Sequence, residues 1–213
     1  MTIAKGTLFI IAAPSGAGKT TLVKALINNV SDIMVSVSHT TRPKRSNEVH
    51  GVNYYFVDHT AFQERIDQGD FLEYATIFEH LYGTSRRWVE ETLLAGTDVI
   101  LEIDWQGHNQ VKRIFKDAVS IFVLPPSLQD LKQRLTGRNL DHPDVIAKRY
   151  ADAKVTLSHV TEFDYVVLND QFEQALHDLI IIVKSNRLQA VKQLEKYKEL
   201  LVDMLPSGSS EKS

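Results

Sequence analysis

The pattern of hydrophobic and polar positions divides the chain into strand-like and helix-like segments. Five short runs are apolar on both faces, as buried parallel strands are, and they cover residues 7–13, 34–38, 98–103, 118–124 and 165–168. Helical spacing lies between most of them, at residues 20–29, 85–95, 105–115, 127–135 and 144–160. Strands that alternate with helices in this way predict a doubly wound α/β sheet.

The alternation breaks between residues 42 and 84, where short apolar runs surround one helical pattern at residues 61–68. We interpret this stretch as a small mixed lobe inserted into the α/β domain. A second irregular stretch, TGRNLDHPD, separates two helical patterns and is expected to be mobile. Residues 172–204 are mostly helical in pattern, and the PSGSSEKS that follows is expected to be disordered.

Composition changes this picture mainly by exclusion. The 213 residues include 24 Lys and Arg against 27 Asp and Glu, and a net charge of −3 gives no overall attraction to nucleic acid. The absence of cysteine excludes disulfides, thiolate nucleophiles and Cys-ligated zinc. No apolar run is long enough to span a bilayer, and the N-terminus is not typical of a signal peptide. We therefore expect a cytoplasmic protein without membrane or nucleic-acid partners, in which the basic segments TTRPKR and LKQRLTGRN bind a small anion.

The segment FIIAAPSGAGKTTLVKAL places a glycine-rich turn, a lysine and two hydroxyls between a strand and a helix. This is the P-loop arrangement, in which backbone N–H groups without a helical acceptor converge on phosphate oxygens. Lys19 is expected to bridge the β and γ phosphates of ATP, and the Thr20 hydroxyl to ligate Mg²⁺. The predicted ATP-binding residues here are Ala13, Pro14, Ser15, Gly16, Ala17, Gly18, Lys19, Thr20 and Thr21.

Ala13 stands where the strict P-loop pattern has its first glycine. The position closes the strand before the loop bends, so alanine needs only β-region dihedrals there. We expect the substitution to weaken the motif match more than the mechanism. The alternative is a tight strand–helix turn with a solvated lysine.

Further motifs follow the P-loop in order: VSVSHTTRPKRSNEVHGVNYYFV, FLEY, LYGTS and EIDWQG. Together they resemble the guanylate kinases of bacteria over about residues 6–187. The resemblance implies an α/β P-loop core with a five-stranded parallel sheet flanked by helices, a small inserted mixed α/β GMP-binding lobe and a mobile lid. It also implies Mg²⁺-assisted transfer of the γ-phosphoryl group from ATP to GMP, giving ADP and GDP. The same activity is expected with dGMP as the acceptor.

The resemblance implies the following organisation of the chain. A guanylate kinase-like domain covers residues 1–187, with its core at 1–38, 85–126 and 161–187, the GMP-binding lobe at 39–84 and the lid at about 127–160. A C-terminal helical extension (188–205) and a disordered tail (206–213) follow. The amphipathic extension either packs on the parent domain or mediates self-association as a homodimer or higher homo-oligomer.

The resemblance assigns guanine recognition to Ser38, Glu73, Thr84 and Asp104. Guanine presents donors at N1 and the 2-amino group and an acceptor at O6, which carboxylates and hydroxyls complement. Adenine would leave a buried carboxylate facing a lone pair, at a cost of about 1–3 kcal/mol or more. Guanine is therefore favoured. The alternative for Glu73 is a solvated strand carboxylate.

The acceptor phosphate is expected to bind Arg42 and Arg45, whose guanidinium groups match phosphate oxygens. The resemblance adds Tyr54 and Tyr82, whose alternative role is ordinary lobe core. Two glycines complete the predicted GMP site. Gly83 fits a close turn beside the ligand, and Gly107 is expected to permit close backbone approach.

Three arginines match lid arginines that grip the ATP phosphates: Arg134, Arg138 and Arg149. Arg134 and Arg138 share a helix face if the helix continues that far. With Lys19 and Arg42 they form the predicted catalytic set, which neutralises the transferring group. The alternative is that these arginines are solvated charges on the helix surface and bind no ligand. No general base is proposed, because the attacking GMP phosphate has a second pKa of about 6 and is mostly ionised at pH 7.

Other features of the sequence bear on these assignments. Glu102 stands where the resembling family commonly has aspartate, and its longer reach is expected to alter contacts near magnesium. Trp105 is expected to pack against the lobe, and Asn169 and Asp170 match a segment near the adenine in relatives.

Two other hypotheses stay open. Scaffold domains that resemble guanylate kinases lack parts of the phosphate sites, whereas this chain retains Lys19, Thr20 and the arginines. A P-loop kinase for AMP, dTMP or a phosphorylated sugar is the other, and Glu73 and Asp104 argue against it.

Overall fold

The structure is a computed structural model that describes residues 4–136 and 143–204. Its strands are β1 (Leu8–Ala12), β2 (Ile33–Val35), β3 (His39–Thr40), β4 (Tyr55–Phe56), β5 (Phe71–Ile77), β6 (His80–Ser85), β7 (Asp98–Glu102), β8 (Val119–Leu124) and β9 (Tyr165–Leu168). Its helices are α1 (Lys19–Asn29), α2 (His59–Asp67), α3 (Arg86–Leu94), α4 (Trp105–Ile114), α5 (Leu128–Thr136), α6 (Pro143–Ser158), α7 (Phe172–Arg187), α8 (Ala190–Lys196) and α9 (Lys198–Met204), with a 3₁₀ turn at Val160–Glu162. The predictions made for Arg138 and for the tail at 206–213 lie outside the described residues.

A five-stranded sheet forms the centre of the fold, with strand order β2-β7-β1-β8-β9. All of its pairings are parallel, and Ile10 of the central strand lies opposite Leu101 of β7 and Ser120 of β8. Every residue of β1 is buried, as a strand covered on both faces must be. The predicted α/β class and parallel sheet are confirmed.

Helices cover both faces of this sheet, because successive residues of β1 point to opposite sides. On one face, α1 and α7 contribute Leu26 and Leu179 to a buried cluster. On the other, α3 and α4 contribute Val89 and Val111 to a cluster that contains Ile10. Because β1 pairs in parallel with β7 and β8, the carboxyl ends of the three strands lie along one edge of the sheet, where open α/β sheets bind ligands.

The stretch between β2 and α3 forms the expected inserted lobe. Its four strands have the order β4-β3-β6-β5, and the sheet is mixed because β3 pairs in parallel with β4 and antiparallel with β6. Helix α2 covers this sheet through Phe62, which packs on Phe71. His39 is buried in the sheet and stacks on Tyr55, and burial lowers its pKa to about 4.

Strand β2 is shorter than its prediction, because the chain changes sheets there. It ends at Val35, although the N–H of Ser36 still donates to the carbonyl of Ile100 at 2.9 Å. The chain then leaves the main sheet and enters β3 of the lobe. Hydrophobic pattern reports burial rather than pairing, and it cannot mark this transfer.

The C-terminal helical stretch is divided into α7, α8 and α9. Arg187, at the end of α7, donates from Nε to Asp98 at 2.7 Å. Lys192 of α8 donates to Thr7 and Asn186 at the same end of the sheet. Helix α8 is therefore attached to the parent domain, while several apolar side chains of α8 and α9 are exposed. Within the described residues, no helix is both long and apolar enough to cross a membrane.

Candidate active site

The glycine-rich loop connects β1 to α1. The N–H of Ala17 donates to the carbonyl of Pro14 at 3.1 Å and closes a turn. Gly16 and Gly18 have φ of 94° and 92°, in the left-handed region that favours glycine. Among the described non-glycine residues, three have a positive φ, and none of them lies in this loop. Ala13 therefore has an ordinary φ. Because α1 begins directly after this loop, at Lys19, its first N–H groups have no helical acceptor and suit phosphate oxygens.

Asn169 supports this loop from the end of β9. It is buried, and its Nδ2 donates to the carbonyl of Ala17 at 2.7 Å. A Cβ on Gly18 would lie 2.5 Å from the same Nδ2, so packing as well as φ requires glycine there. The contact joins residues 152 positions apart, and nothing in the local pattern of either segment indicates it.

Lys19 begins α1 and extends toward the end of β7. Its Nζ donates to the carbonyl of Ile103 at 3.2 Å. Burial lowers the pKa of Lys19, and the carboxylates of Glu102, Asp104 and Glu73 oppose that shift. The ammonium therefore lies between the glycine-rich loop and the carboxylates of the lobe and of the β7 edge.

Thr20 and Glu102 are in direct contact beside Lys19. Thr20 Oγ1 donates to Oε2 of Glu102 at 2.9 Å, so the longer glutamate contacts the predicted metal-ligating hydroxyl directly. Among residues 4–136 and 143–204, no three His, Asp or Glu side chains form a group that could hold a metal. A hydroxyl and a carboxylate still fit Mg²⁺, which keeps several waters and binds largely through substrate phosphates.

Glu73 is the buried carboxylate of the lobe and is 4% exposed. Strands β5 and β6 pair it with Thr84, whose Oγ1 donates to its Oε1 at 2.5 Å. A Cβ on Gly107, in the first turn of α4, would lie 2.6 Å from its Oε2. Asp104 caps the same helix by accepting from the Gly107 N–H at 2.9 Å. The structure thus brings these four predicted residues together.

Burial raises the pKa of Glu73 to about 7, and the negative charge of Asp104 adds to the shift against the hydrogen bond from Thr84. A glutamate in the unfolded chain titrates near 4.3. The folded protein therefore holds this proton more tightly, and ionisation of Glu73 opposes folding as the pH rises.

We expect the unliganded protein to lose stability relative to a Glu73→Gln variant as the pH rises. The contribution is fully present below about pH 4.3 and falls by about 4 kcal/mol at most once the pH has passed the folded pKa. Thermal melting of both proteins between pH 4.5 and 7.5 measures the difference, and shifts from other groups cancel. Parallel melting curves would contradict the assignment of a raised pKa to Glu73.

Gly83 differs from its prediction, because it lies within β6 rather than in a turn. A Cβ there would meet the rings of Phe62 and Phe71 at 3.0 Å. Its small size therefore makes room for the aromatic core of the lobe.

Arg42 is held by contacts on several sides. Its Nη2 donates to Oε1 of Glu48 at 2.6 Å, and its Nη1 to the carbonyl of Pro43 at 2.8 Å. The guanidinium also lies 5.6 Å from the ring centroid of Tyr54 and 5.7 Å from that of Phe56. Glu48 is absent from the set predicted from sequence. A single acidic residue in a basic loop gives only a weak sequence signal.

The two predicted tyrosines lie beside this arginine. Their ring centroids are 5.8 Å apart, and burial raises the pKa of Tyr54 to about 12, so its hydroxyl remains a donor at neutral pH.

The other two predicted GMP ligands of this region are Arg45 and Ser38, and Arg45 is exposed. Ser38 precedes β3 and its carbonyl accepts from the N–H of Tyr55 at 2.9 Å. The structure groups Arg42 with Tyr54 and Tyr82 and leaves Arg45 at the rim.

The donor-side arginines lie on two packed helices. Arg134 is in the last turn of α5 and Arg149 is in α6, and both are partly buried. The helices contact each other through Leu131, Leu135 and Ala153. Both leucines lie against Gly16, where a Cβ would meet each at 3.3 Å. This packing places α5 directly over the glycine-rich loop.

The ring of Trp105 stacks on that of His159. The two rings stack 3.7 Å apart with an interplanar angle of 7°. His159 follows α6, and Glu162 joins it to α4 by contacting His159 Nδ1 at 2.6 Å and Asn109 Nδ2 at 3.2 Å. His159 is distant from Trp105 in sequence, so nothing in the pattern of the α4 segment indicates this stack; the expected packing of Trp105 against the lobe stays a prediction.

Comparison with known proteins gives one consistent result. The family model described as guanylate kinase matches residues 5–186. A guanylate kinase of Saccharophagus degradans is 52% identical over 200 residues, covering 94% of this chain and 98% of that protein. One from Methylobacillus flagellatus is 52% identical over 201 residues, covering 94% and 100%. The crystal structure of guanylate kinase from Anaplasma phagocytophilum superposes with a TM-score of 0.78 at 30% identity, covering 94% of this chain and 96% of that one.

Proposed function

The chain belongs to the guanylate kinase family and transfers the γ-phosphoryl group of ATP to GMP, and we propose that the residues between the glycine-rich loop and the inserted lobe carry out this transfer. The placement of Lys19 supports this most directly. Its ammonium lies between the loop and the carboxylates Glu73 and Asp104. A triphosphate on the loop and an acceptor in the lobe would therefore meet at Lys19.

The lobe binds GMP through its base and its phosphate. Ionised Glu73, with Asp104, accepts hydrogen bonds from guanine N1–H and the 2-amino group. Thr84 orients Glu73 through the hydrogen bond to Oε1. The remaining proposed GMP ligands are Ser38, Gly83 and Gly107 near the base, and Arg42, Arg45, Tyr54 and Tyr82 at the phosphate.

Transfer is in line between the two sites. An ionised oxygen of the GMP phosphate attacks the γ-phosphorus, the bond from that phosphorus to the β–γ bridging oxygen breaks, and ADP leaves with the electron pair. Lys19 neutralises charge on the β and γ phosphates, while Arg134, Arg138 and Arg149 grip the donor and the transferring group. Bound Mg²⁺, held through Thr20 Oγ1, supplies further charge neutralisation on the phosphate oxygens.

The magnesium assignment predicts a specific effect of Thr20→Val. Loss of the hydroxyl should raise the Mg²⁺ concentration that gives half-maximal activity about tenfold at fixed ATP, because one oxygen ligand is lost. Thr20→Ser keeps the hydroxyl and is the matched control. An Mg²⁺ titration of the three proteins measures the effect. Equal requirements in the valine and serine variants would place the metal elsewhere.

The domain assignments are part of the same proposal. Residues 39–84 form the GMP-binding lobe and residues of about 127–160 form a lid, and both close on the bound nucleotides, which excludes water from the transfer. The substrates are nucleotides of the cell interior, which supports a cytoplasmic location. The exposed apolar side chains of α8 and α9 are where self-association would occur.

A further inference from the structure

Glu48 connects the two arginines of the basic loop through one carboxylate. Its Oε1 accepts from Nη2 of Arg42 at 2.6 Å, and its Oε2 accepts from the backbone N–H of Arg45 at 2.9 Å. Its own N–H donates to the carbonyl of Arg45 at 3.1 Å and closes a turn. The pair is largely sheltered from solvent, with side-chain exposure of 14% for Arg42 and 12% for Glu48.

The Glu48 carboxylate is ionised at neutral pH. Burial alone would raise the pKa of Glu48, but the hydrogen bonds from Arg42 and from the Arg45 N–H outweigh burial and hold the pKa below its usual range. Each carboxylate oxygen therefore has a donor.

These contacts fix the guanidinium of Arg42 and still leave donors unused. Glu48 accepts from Nη2, the Pro43 carbonyl accepts from Nη1, and the rings of Tyr54 and Phe56 lie 5.6 and 5.7 Å from the guanidinium. A guanidinium has five N–H donors in a rigid plane, and Arg42 also hydrogen-bonds Tyr82, so two remain for a phosphate. An arginine that is already oriented loses less conformational entropy when it binds the phosphate.

We propose that Glu48 is a positioning residue for the acceptor phosphate, which orients Arg42 and sets the backbone of Arg45. This inference rests on the proposed role of Arg42 as a ligand of the GMP phosphate. Glu48 acts through Arg42 and Arg45, and it has no part in recognition of the guanine base, whose carboxylates lie on β5 and at the start of α4.

Glu48→Ala is expected to raise the KM for GMP about tenfold, the range expected when a charge-assisted hydrogen bond that orients a ligand group is lost. The KM for ATP should be unchanged. Glu48→Gln keeps one acceptor but turns an NH₂ group toward the Arg45 N–H, so it should give an intermediate value.

Inhibition by guanosine, which lacks the phosphate, distinguishes a role at the phosphate from a general role in holding the lobe together. Its inhibition constant against GMP should be the same in wild type and in Glu48→Ala.

Glu91→Ala is the matched control, because it removes an Arg–Glu contact of 2.8 Å with Arg87 that is exposed on α3. It should leave the KM for GMP unchanged. Arg42→Met tests the link, since adding Glu48→Ala to it should raise the KM by clearly less than in wild type, and the increase that remains is the part exerted through the Arg45 backbone.

Three results would overturn the inference. An equal loss of guanosine and GMP binding in Glu48→Ala would mean that Glu48 maintains the lobe. Tighter GMP binding would mean that Glu48 competes with the phosphate. An unchanged KM for GMP would remove its role altogether. Unchanged GMP affinity in Arg42→Met would instead contradict the proposed phosphate site itself, and the role of Glu48 with it.

Discussion

Lys19→Ala is expected to lower kcat by about 10³-fold or more while the protein remains folded. The ammonium lies where donor and acceptor phosphates would meet, and its charge is needed most as the γ-phosphoryl group transfers. Its contribution to folding is small, because burial already disfavours the charged form and Nζ makes one described hydrogen bond, to Ile103. Loss of catalysis should therefore be separable from loss of structure.

Lys24→Ala is the matched control for this variant, because Lys24 lies on the same helix and is exposed. Steady-state kinetics with ATP and GMP, together with thermal melting, should show unchanged kcat for Lys24→Ala and similar melting temperatures for both variants. Turnover by Lys19→Ala close to that of wild type would contradict the donor-site assignment.

Glu73→Gln is expected to lower kcat/KM for GMP by about 10²-fold, because a site built to hydrogen-bond a base loses strongly when its polar partner changes. The amide presents an NH₂ group to guanine donors in place of a carboxylate oxygen. The ratio of kcat/KM for GMP to that for IMP, which lacks the 2-amino group, should also fall. Gly107→Ala should give a weaker version of the same effect, since its Cβ would lie 2.6 Å from Oε2 of Glu73.

Glu64→Gln on α2 is the control for these two variants, because Glu64 is an exposed glutamate of the same lobe. Kinetics with GMP, IMP and ATP should show that the KM for ATP changes in none of them. A change in melting temperature alone, without a change in base selectivity, would make Glu73 a structural residue.

Much of this fold could be predicted from sequence because its signals are local. The apolar runs of β1, β7 and β8 are continuous, since both faces of each strand are buried in a parallel sheet. The glycine-rich loop is equally local, because Gly16 and Gly18 adopt φ values that few other residues accept. The order of motifs then associated Glu73, Thr84 and Asp104 with one site, and the structure places them together.

The features that were missed are side-chain contacts, two of them between distant segments. Asn169 holds the Ala17 carbonyl, and His159 stacks on Trp105, although each pair is far apart in sequence. Glu48 is close in sequence to Arg42, but only the geometry shows that its carboxylate links two arginines. Hydrophobic periodicity carries no information about such polar and aromatic pairs.

The most direct test of the central claim is a coupled ADP-release assay with ATP, Mg²⁺ and a panel of GMP, dGMP, AMP, CMP, UMP and dTMP. The account predicts turnover confined to GMP and dGMP, because the carboxylates of Glu73 and Asp104 complement the donors of guanine. Comparable turnover with another monophosphate, or no turnover with any of them by folded protein, would contradict it.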